Sequence, residues 1–296
     1  MTDASPSYRV FDVELHAFPS FEGYRRWSAQ PFGALARIAH VPIPDVSRHM
    51  QMTIDYMDAN NVICGVVSGD NLTVQEWRRA HPSRFLASFW PDPSLQDQTA
   101  AAEAFEREVE AGLWHGPGEL ILPYRGIPLN DPRLDPLLAV CQRRRLPVAY
   151  HTGADGPAPR SPFRVELGDP LRLQDVLDRF PELNIIIMHL GWPFFDHALY
   201  LLYAYPNVHA AVGAVNWALG PATFQRMLRE AVDFLGSDRI LFSSDQMAWP
   251  QLITPAVKAI TSADFLSEAD KINILWNNAA RLYPLPAQEK GFVRSA

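Results

Sequence analysis

Short apolar runs alternate with amphipathic segments along most of the 296-residue chain. Each apolar run has the length of a strand and is bounded by turn residues, which predicts a buried β-strand, whereas the amphipathic segments repeat with helical spacing. The predicted strands cover residues 8–13, 62–67, 84–90, 119–122, 147–151, 184–189, 208–212 and 239–244, and the predicted helices cover residues 45–59, 73–80, 95–111, 131–144, 169–179, 195–204, 224–234 and 267–281. Eight strands that alternate with helices indicate parallel βα units of the α/β class. Their number favours a distorted (β/α)8 barrel of the TIM type over a doubly wound sheet.

Two stretches lie outside this alternation. Residues 17–44 combine four prolines with aromatic side chains such as Phe18, Tyr24 and Trp27. This composition is too apolar for a solvated linker, so it predicts an extended loop after strand 1 that folds over another part of the protein. We therefore predict one barrel domain over residues 1–285 and a C-terminal tail over residues 286–296.

Composition and charge exclude several classes of function. The net charge of −7, without a cluster of Lys or Arg, argues against a nucleic-acid-binding protein. No apolar run reaches 18 residues, and residues 1–5 lack the basic and apolar parts of a secretory signal, so we expect no membrane association. Cys64 and Cys141 lie in apolar surroundings and are expected to be reduced core thiols. Because reduced thiols are typical of the cytosol, we predict a cytoplasmic protein.

Residues with metal-binding chemistry stand at the ends of four predicted strands. Glu14 and His16 follow the first strand one residue apart, so their side chains point the same way. His151, His189 and Asp245 stand at the end of the fifth, sixth and eighth strands or just beyond. Because the carboxyl ends of barrel strands meet at one face, these five side chains are expected to form one site, and their types suit a divalent metal.

Five motifs resemble those of the amidohydrolase superfamily: residues 12–16 (DVELH), 146–153 (LPVAYHTG), 187–191 (IMHLG), 242–245 (FSSD) and 277–283 (NNAARLY). The branch most similar is the amidohydrolase-related (amidohydrolase 2) group, which includes aminocarboxymuconate-semialdehyde decarboxylase. The resemblance implies a distorted (β/α)8 barrel with one divalent metal ion, zinc first and manganese second. It implies that Glu14, His16, His151 and Asp245 hold the ion, with His189 a further ligand or a catalytic partner of Asp245. A homodimer is a further implication, because dimers are common in that branch.

The chain departs from this group in three places. Most members have His-x-His on the first strand, and the Glu14-x-His16 form resembles the non-oxidative decarboxylases of hydroxybenzoates. Those decarboxylases carry a Glu where this chain has Trp192. On the fourth strand, Leu120 and Leu122 replace the Lys and His often seen. Without that lysine a carboxylated bridge between two metals cannot form, which favours a mononuclear site.

The resemblance leaves the reaction open between two alternatives that use the same residues. In the first, Asp245 takes a proton from an activated water that attacks an amide, ester or lactone, and His189 polarises the carbonyl or protonates the leaving group. In the second, a hydroxybenzoate-like acid loses CO₂ and receives a proton from the Asp245 and His189 pair. We expect hydrolysis of a small aromatic or carboxylated compound, with decarboxylation as the close alternative. A catalytically inactive barrel that serves as a scaffold is the third hypothesis.

Aromatic and polar residues near the other strand ends are candidates for binding the substrate. They are expected to face the same mouth of the barrel and to favour a small, flat or apolar molecule. Arg125 could bind a substrate carboxylate. The predicted substrate-binding residues are Trp90, Tyr124, Arg125, Trp192, Asn216 and Trp217.

Overall fold

The structure is a computed structural model that describes residues 8–17, 38–41, 46–153 and 162–285. Within these residues, seven parallel strands alternate with helices. The strands are β1 (Val10–Ala17), β2 (Val62–Gly69), β3 (Phe85–Ala87), β4 (Val148–Tyr150), β5 (Ile185–Ile187), β6 (Val208–Ala211) and β7 (Ile240–Leu241). The α-helices are α1 (His49–Ala59), α2 (Asn71–Ala80), α3 (Gln98–Glu110), α4 (Asp135–Arg144), α5 (Leu173–Arg179), α6 (Phe195–Ala204), α7 (Val215–Ala218), α8 (Pro221–Leu235), α9 (Ile253–Thr261), α10 (Glu268–Ile272) and α11 (Asn278–Leu282).

The strands form two parallel sheets, in the orders β1-β2-β3 and β4-β5-β6-β7. Backbone hydrogen bonds join the sheets on one side, where the amides of Val13 and Asp245 donate to the carbonyls of Phe242 and Glu14 at 3.1 Å each. On the other side, residues 116–120 lie between β3 and β4. This segment, here called the fourth segment, bonds to Phe89 and to Ala149. The fourth segment thus adds an eighth strand position to the seven strands, and the predicted (β/α)8 barrel is confirmed.

The fourth segment is the distorted part of the barrel. It makes only isolated bridges, from Pro117 to Phe89 and from Leu120 to Tyr150. A Cβ atom on Gly116 would lie 2.3 Å from the carbonyl oxygen of Pro147, so only glycine allows this close approach. The predicted strand over residues 119–122 is therefore wrong in its bounds: pairing occurs earlier, and a short 3-10 helix begins at Leu122.

Alternate residues of the strands divide the core into two layers. Outward side chains, for example those of Val67, Ile185 and Ile187, pack under the helices. Inward ones such as Val66 and Ile186 fill the barrel together with Phe11, on which the ring of Trp276 packs at 5.9 Å. This arrangement explains why the strands appear in the sequence as nearly continuous apolar runs: both of their faces are buried.

Three further predictions concern the cysteines, membrane spans and the bounds of the domain. Cys64 and Cys141 are buried free thiols, as expected, and no helix among the described residues is long and apolar enough to cross a membrane. Most of the predicted loop over residues 17–44 and all of the tail over residues 286–296 lie outside the described residues. The division into one domain and a tail therefore stays a prediction.

A buried histidine predicts acid sensitivity. His49, on α1, is 2% exposed, and its Nε2 bonds to the carbonyl of Met247 at 2.8 Å. Burial lowers its pKa to about 4. His49 gains a proton near pH 6.5 in the unfolded chain but only near pH 4 in the folded protein. The free energy of unfolding therefore keeps its full value above pH 6.5 and decreases as the pH falls from 6.5 to about 4. The loss should be about 1.4 kcal/mol per pH unit.

Urea unfolding of the wild type and of His49→Gln across this pH range measures the effect. Glutamine keeps a donor for Met247 but does not titrate, so we expect the free energy of unfolding of the variant to depend less on pH, by about one proton. Parallel pH dependences in the two proteins would contradict the assignment.

Candidate metal centre

The barrel brings together all five side chains that the sequence predicts as metal-binding or catalytic. Glu14 and His16 project from β1, His151 directly follows β4, and His189 lies two residues beyond β5. Asp245 lies four residues beyond β7. Parallel strands that end at the same rim explain the convergence. Glu14, His151, His189 and Asp245 are buried, and His16 is nearly so.

Short distances link these side chains into one cluster. Nε2 of His16 lies 2.9 Å from Oδ1 of Asp245. His189 stands in the middle: its Nε2 is 3.1 Å from Nδ1 of His151 and 3.9 Å from Oε1 of Glu14. Its Nδ1 is 3.9 Å from Oδ2 of Asp245. The cluster is therefore a compact group of carboxylates and imidazoles.

A sixth side chain, Glu119, belongs to the cluster, and sequence reasoning missed it. Its Oε1 lies 2.6 Å from Nδ1 of His151 and 3.0 Å from Nε2 of His189, and its Oε2 lies 3.8 Å from Nε2 of His16. It is buried on the fourth segment. The sequence placed Glu119 at the start of a strand, because the preceding Gly-Pro-Gly reads as a turn. One signal could have found it: a single carboxylate in an otherwise apolar run.

The two leucines that replace the Lys and His often seen on the fourth strand are core residues. Leu120 and Leu122 are buried in the layer between barrel and helices, not in the cluster. The sequence therefore predicts no metal ligand from the fourth strand, whereas the structure places the Glu119 carboxylate in the cluster.

Left-handed backbone turns aim two of the side chains into the space that the cluster surrounds, here called the cavity. His189 has a φ of 59° and Asp245 a φ of 46°, values that residues with a Cβ rarely adopt. The turn at Asp245 is held by the bond from its amide to the carbonyl of Glu14. Strain of this kind persists where the surrounding structure fixes it, and it is frequent at functional sites.

Neighbouring polar groups fix the end of β1. The carboxylate of Asp12 accepts the amides of Glu14 and Ser244 at 3.1 and 3.0 Å. Gln246 forms two bonds with the backbone of His16, accepting from its amide and donating to its carbonyl, both at 3.0 Å. Burial raises the pKa of Asp12 to about 7. These contacts fix the backbone at Glu14 and His16.

In the absence of a cation, burial and the neighbouring charges shift the pKa values of several groups in the cluster. Burial, and then the charge of Asp245, raises the pKa of Glu14 well above its usual range. Burial alone would lower the pKa of His189, but the carboxylates of Glu14 and Glu119 outweigh it and raise the pKa well above 6.5. Burial would raise the pKa of Glu119, yet His151 outweighs it and lowers the pKa. The cavity therefore favours positive charge.

The donors fit a divalent cation. Glu14 has both carboxylate oxygens buried without a hydrogen bond of normal geometry, although the Ser243 hydroxyl is near enough to favour ionisation. Nε2 of His151 is likewise buried without a partner. His189 can donate from Nδ1 to the carbonyl of Gly213 at 3.1 Å, which leaves Nε2 as the ligand atom. Imidazole and carboxylate ligands suit zinc and manganese alike.

Three predicted substrate-binding residues make hydrogen bonds to the backbone beside the cluster. The indole of Trp90 donates to the carbonyl of Glu119 at 2.7 Å. The side chains of Asn216 and Trp217 donate to the carbonyls of Ser243 and Ser244 at 2.9 and 2.8 Å. These bonds support the chain segments that carry Glu119 and Asp245.

The other three predicted substrate-binding residues lie nearer to open space. Tyr124 packs edge-on against the ring of His151 at 5.1 Å. Trp192 is 37% exposed and follows the turn that holds His189. Arg125 is exposed and, with Trp90, lines a pocket beside the fourth segment. Contact of any of the six with a substrate stays a prediction.

Gly213 offers a test of how closely the cluster is packed. A Cβ atom there would lie 2.1 Å from Oε2 of Glu14, 2.6 Å from Oγ of Ser243 and 2.9 Å from Cβ of Asp245. Gly213→Ala should therefore displace Glu14 and lower metal affinity at least about 10-fold, the size seen when support of a metal ligand is lost. Equilibrium dialysis against Mn²⁺ measures the affinity, and unfolding in chelator reports the fold. An unchanged affinity would show that the cavity is looser than described.

Comparisons with known proteins agree with this architecture. A curated relative, protein fluG of Emericella nidulans, is 25% identical over 181 residues, which cover 54% of this chain and 20% of that protein. The chain thus spans about a fifth of that relative's length. Three solved structures share the barrel fold at low sequence identity. They are an uncharacterized TIM-barrel protein from Bordetella bronchiseptica (20% identity, TM-score 0.71, 93% of this chain and 98% of that chain), 5-carboxyvanillate decarboxylase from Novosphingobium aromaticivorans with manganese and a nitrobenzoic acid (16%, 0.65, 93% and 96%), and a probable 2-pyrone-4,6-dicarboxylic acid hydrolase from Acinetobacter baumannii (17%, 0.64, 93% and 98%).

The family assignment rests on a match over most of the chain. The family model described as Amidohydrolase (Amidohydro_2) matches residues 12–285, which include all six members of the cluster. The resemblance inferred from the five sequence motifs is thereby confirmed. This chain belongs to the amidohydrolase family.

Proposed function

We propose that this protein is a divalent-metal-dependent hydrolase that uses activated water on an amide, ester or lactone of a small aromatic or carboxylated compound. The observation that favours hydrolysis is Glu119. It adds a third buried carboxylate to Glu14 and Asp245. Each buried carboxylate disfavours a substrate carboxylate in the cavity relative to a neutral carbonyl group.

The residues divide the work of hydrolysis. Glu14, His16, His151 and Asp245 are proposed to hold the cation, which is expected to be Zn²⁺, with Mn²⁺ as the alternative. When bound, the cation supplies Lewis acidity. Asp245 accepts a proton from the attacking water and returns it to the leaving group. His189, buried in the middle of the cluster, is proposed to polarise the carbonyl or to add a ligand.

The rim of the cavity supports an aromatic substrate. Tyr124 and Trp192 offer apolar faces near His151 and His189. The exposed Arg125 is proposed to supply a cation at the rim, outside the group of buried carboxylates. A substrate carboxylate would bind Arg125 there, while the scissile carbonyl enters the cavity. Trp90, Asn216 and Trp217 are proposed to shape the same mouth.

Non-oxidative decarboxylation is the second candidate, because Glu14 occupies the place of the commoner histidine on β1. The similarity to a 5-carboxyvanillate decarboxylase with bound manganese adds to it. In that reaction the Asp245 and His189 pair would deliver a proton to the ring carbon as CO₂ leaves. An inactive scaffold is the least favoured hypothesis, since it does not explain six converging ligands.

A substrate panel distinguishes these candidates. Metal-loaded protein is incubated with neutral lactones, anilides and aryl esters, and with hydroxybenzoates. Acid release from the first group, lost in Asp245→Asn, supports hydrolysis. CO₂ release from any aromatic acid, lost in the same variant, would replace hydrolysis by decarboxylation. No reaction with tightly bound metal would favour the scaffold.

Two further inferences concern location and assembly. We infer a cytoplasmic protein from the buried free thiols, and a homodimer from the family resemblance. An exposed pair of stacked rings, Tyr203 and Phe234, supplies an apolar patch that such a contact could use. Light scattering of the purified protein tests the dimer.

A further inference from the structure

We propose that Ser243 is a positioning residue of the metal centre, whose hydroxyl group fixes Glu14 directly and His189 through the backbone of Gly213. This inference rests on the metal dependence in the proposed function and adds a residue that lies outside the ligand set. Ser243 is completely buried and lies two residues beyond β7, next to the cluster.

The hydroxyl group of Ser243 supports the turn that follows β6. Its Oγ accepts a hydrogen bond from the amide of Gly213 at 2.5 Å. The next residue, Ala214, has a φ of 56°, in the left-handed region that residues with a Cβ rarely adopt. The side chain of Asn216 donates to the carbonyl of Ser243 at 2.9 Å, so both ends of the turn are tied to this serine. A strained turn of this kind persists where neighbouring groups hold it.

The same turn carries the hydrogen-bond acceptor of His189. Nδ1 of His189 lies 3.1 Å from the carbonyl oxygen of Gly213, which also accepts the amide of Val215 at 2.6 Å. With Nδ1 as the donor, Nε2 faces the cluster, 3.1 Å from Nδ1 of His151. The orientation of the His189 ring therefore depends on where Ser243 holds Gly213.

The hydroxyl group of Ser243 also lies beside the carboxylate of Glu14. A Cβ atom on Gly213 would be 2.1 Å from Oε2 of Glu14 and 2.6 Å from Oγ of Ser243, so the two oxygens border the same gap. Because Oγ accepts the Gly213 amide, its own hydrogen remains available to a second acceptor. Both oxygens of Glu14 are buried without a hydrogen bond of normal geometry, so this carboxylate is the acceptor that needs it. Burial raises the pKa of Glu14, and the Ser243 hydroxyl opposes that rise.

One hydroxyl group thus acts on two members of the cluster that come from different sheets. Glu14 lies on β1 and His189 follows β5, and their facing atoms, Oε1 and Nε2, are 3.9 Å apart. Removal of the hydroxyl should leave both ligand atoms present but less well placed. We therefore expect weaker metal binding rather than its complete loss.

The experiment uses the full-length protein, stripped with chelator and titrated with Mn²⁺. Electron paramagnetic resonance measures the free ion and thus the dissociation constant, and the spectrum of the bound ion reports how its ligands are arranged. Ser243→Ala should weaken binding at least about 10-fold, the size expected when a group that orients a ligand is lost, and should change the bound spectrum. Should this variant not fold, Ser243→Cys takes its place, because a thiol is a weak donor and a poor ligand for Mn²⁺.

Ser237→Ala is the matched control. Ser237 is also buried, but it lies before β7, at the end of the strand opposite to the cluster. Its Oγ accepts from the side chain of Asn273 at 3.3 Å. Urea unfolding in chelator should show a loss of stability in both alanine variants, since each loses a buried hydrogen bond. Only Ser243→Ala should also lose metal affinity, and this difference separates positioning from packing.

A double-mutant cycle tests the link between Ser243 and Glu14. In Glu14→Gln, which lacks the anionic acceptor, the further change Ser243→Ala should lower the remaining affinity by a smaller factor than in the wild type. Equal factors in the two backgrounds would show that Ser243 does not act through Glu14 and would overturn that link.

The outcomes separate this inference from the proposed function. Wild-type affinity and an unchanged spectrum in folded Ser243→Ala, or in Ser243→Cys if it replaces that variant, would overturn the positioning role and leave the hydrolase proposal standing. An equal loss of affinity in Ser237→Ala would also overturn it, because the loss would then reflect packing alone. Absence of Mn²⁺ binding in the wild type would overturn both the inference and the proposed function.

Discussion

Replacing Asp245 by asparagine is expected to lower kcat by about 1,000-fold on whichever substrate the panel identifies, because general acid–base groups contribute factors of this size. The amide has nearly the same shape and can still meet Nε2 of His16, which lies 2.9 Å from Oδ1. It cannot accept a proton at neutral pH. The loss should therefore fall on kcat, with the Michaelis constant changed much less.

Steady-state kinetics of metal-loaded Asp245→Asn measures this effect. Asp233→Asn, an exposed aspartate on α8, is the matched control and should keep full activity. Metal analysis of both variants distinguishes a lost proton acceptor from a lost ligand. Activity within a factor of ten of the wild type in Asp245→Asn would assign proton transfer to another residue.

Replacing Glu14 by glutamine is expected to have opposite effects on metal binding and on the stability of the metal-free protein. Metal affinity should fall about 100-fold or more, since an anionic ligand is lost from the cluster. At pH values where Glu14 is ionised, the metal-free protein should become more stable, by about 1–3 kcal/mol, because a buried charge without a hydrogen bond of normal geometry is removed. Glu14→Ala is expected to abolish metal retention as well.

The effect of Glu14 on the stability of the metal-free protein is expected to depend on pH. Burial raises the pKa of Glu14 in the folded protein above its value in the unfolded chain. The metal-free wild type should therefore lose stability as the pH rises above the usual carboxyl range, and Glu14→Gln should lose less, since Asp12 keeps its raised pKa in both proteins. Urea unfolding in chelator at several pH values measures both proteins. Stoichiometric metal in Glu14→Gln would remove Glu14 from the proposed ligand set.

Local patterns were sufficient for much of the fold. A strand buried on both faces is a short apolar run, and an amphipathic helix repeats with its own spacing, so both are visible without knowledge of their neighbours. His151, His189 and Asp245 could be found because each follows such a run directly. Parallel strands then require that these ends meet, which is why five of the six residues in the cluster were predictable.

Glu119 was not predictable, because its orientation depends on contacts distant in the sequence. Gly116 and Gly118 allow the fourth segment to approach residues 147–149 closely. That approach sets its register, and a shift of one residue moves every side chain of a strand to the other face. The sequence could not show whether Glu119 or Leu120 enters the barrel.

The sequence by itself determined that this protein is a barrel of βα units with Glu14 and His16 at one strand end. Side-chain type and periodicity are local properties, and they suffice for that. Only the tertiary structure decided how many carboxylates share the cavity, which atoms face one another and which protons they hold. Those quantities depend on distances of a few ångströms between strands and on exclusion of water, and neither exists until the barrel has closed.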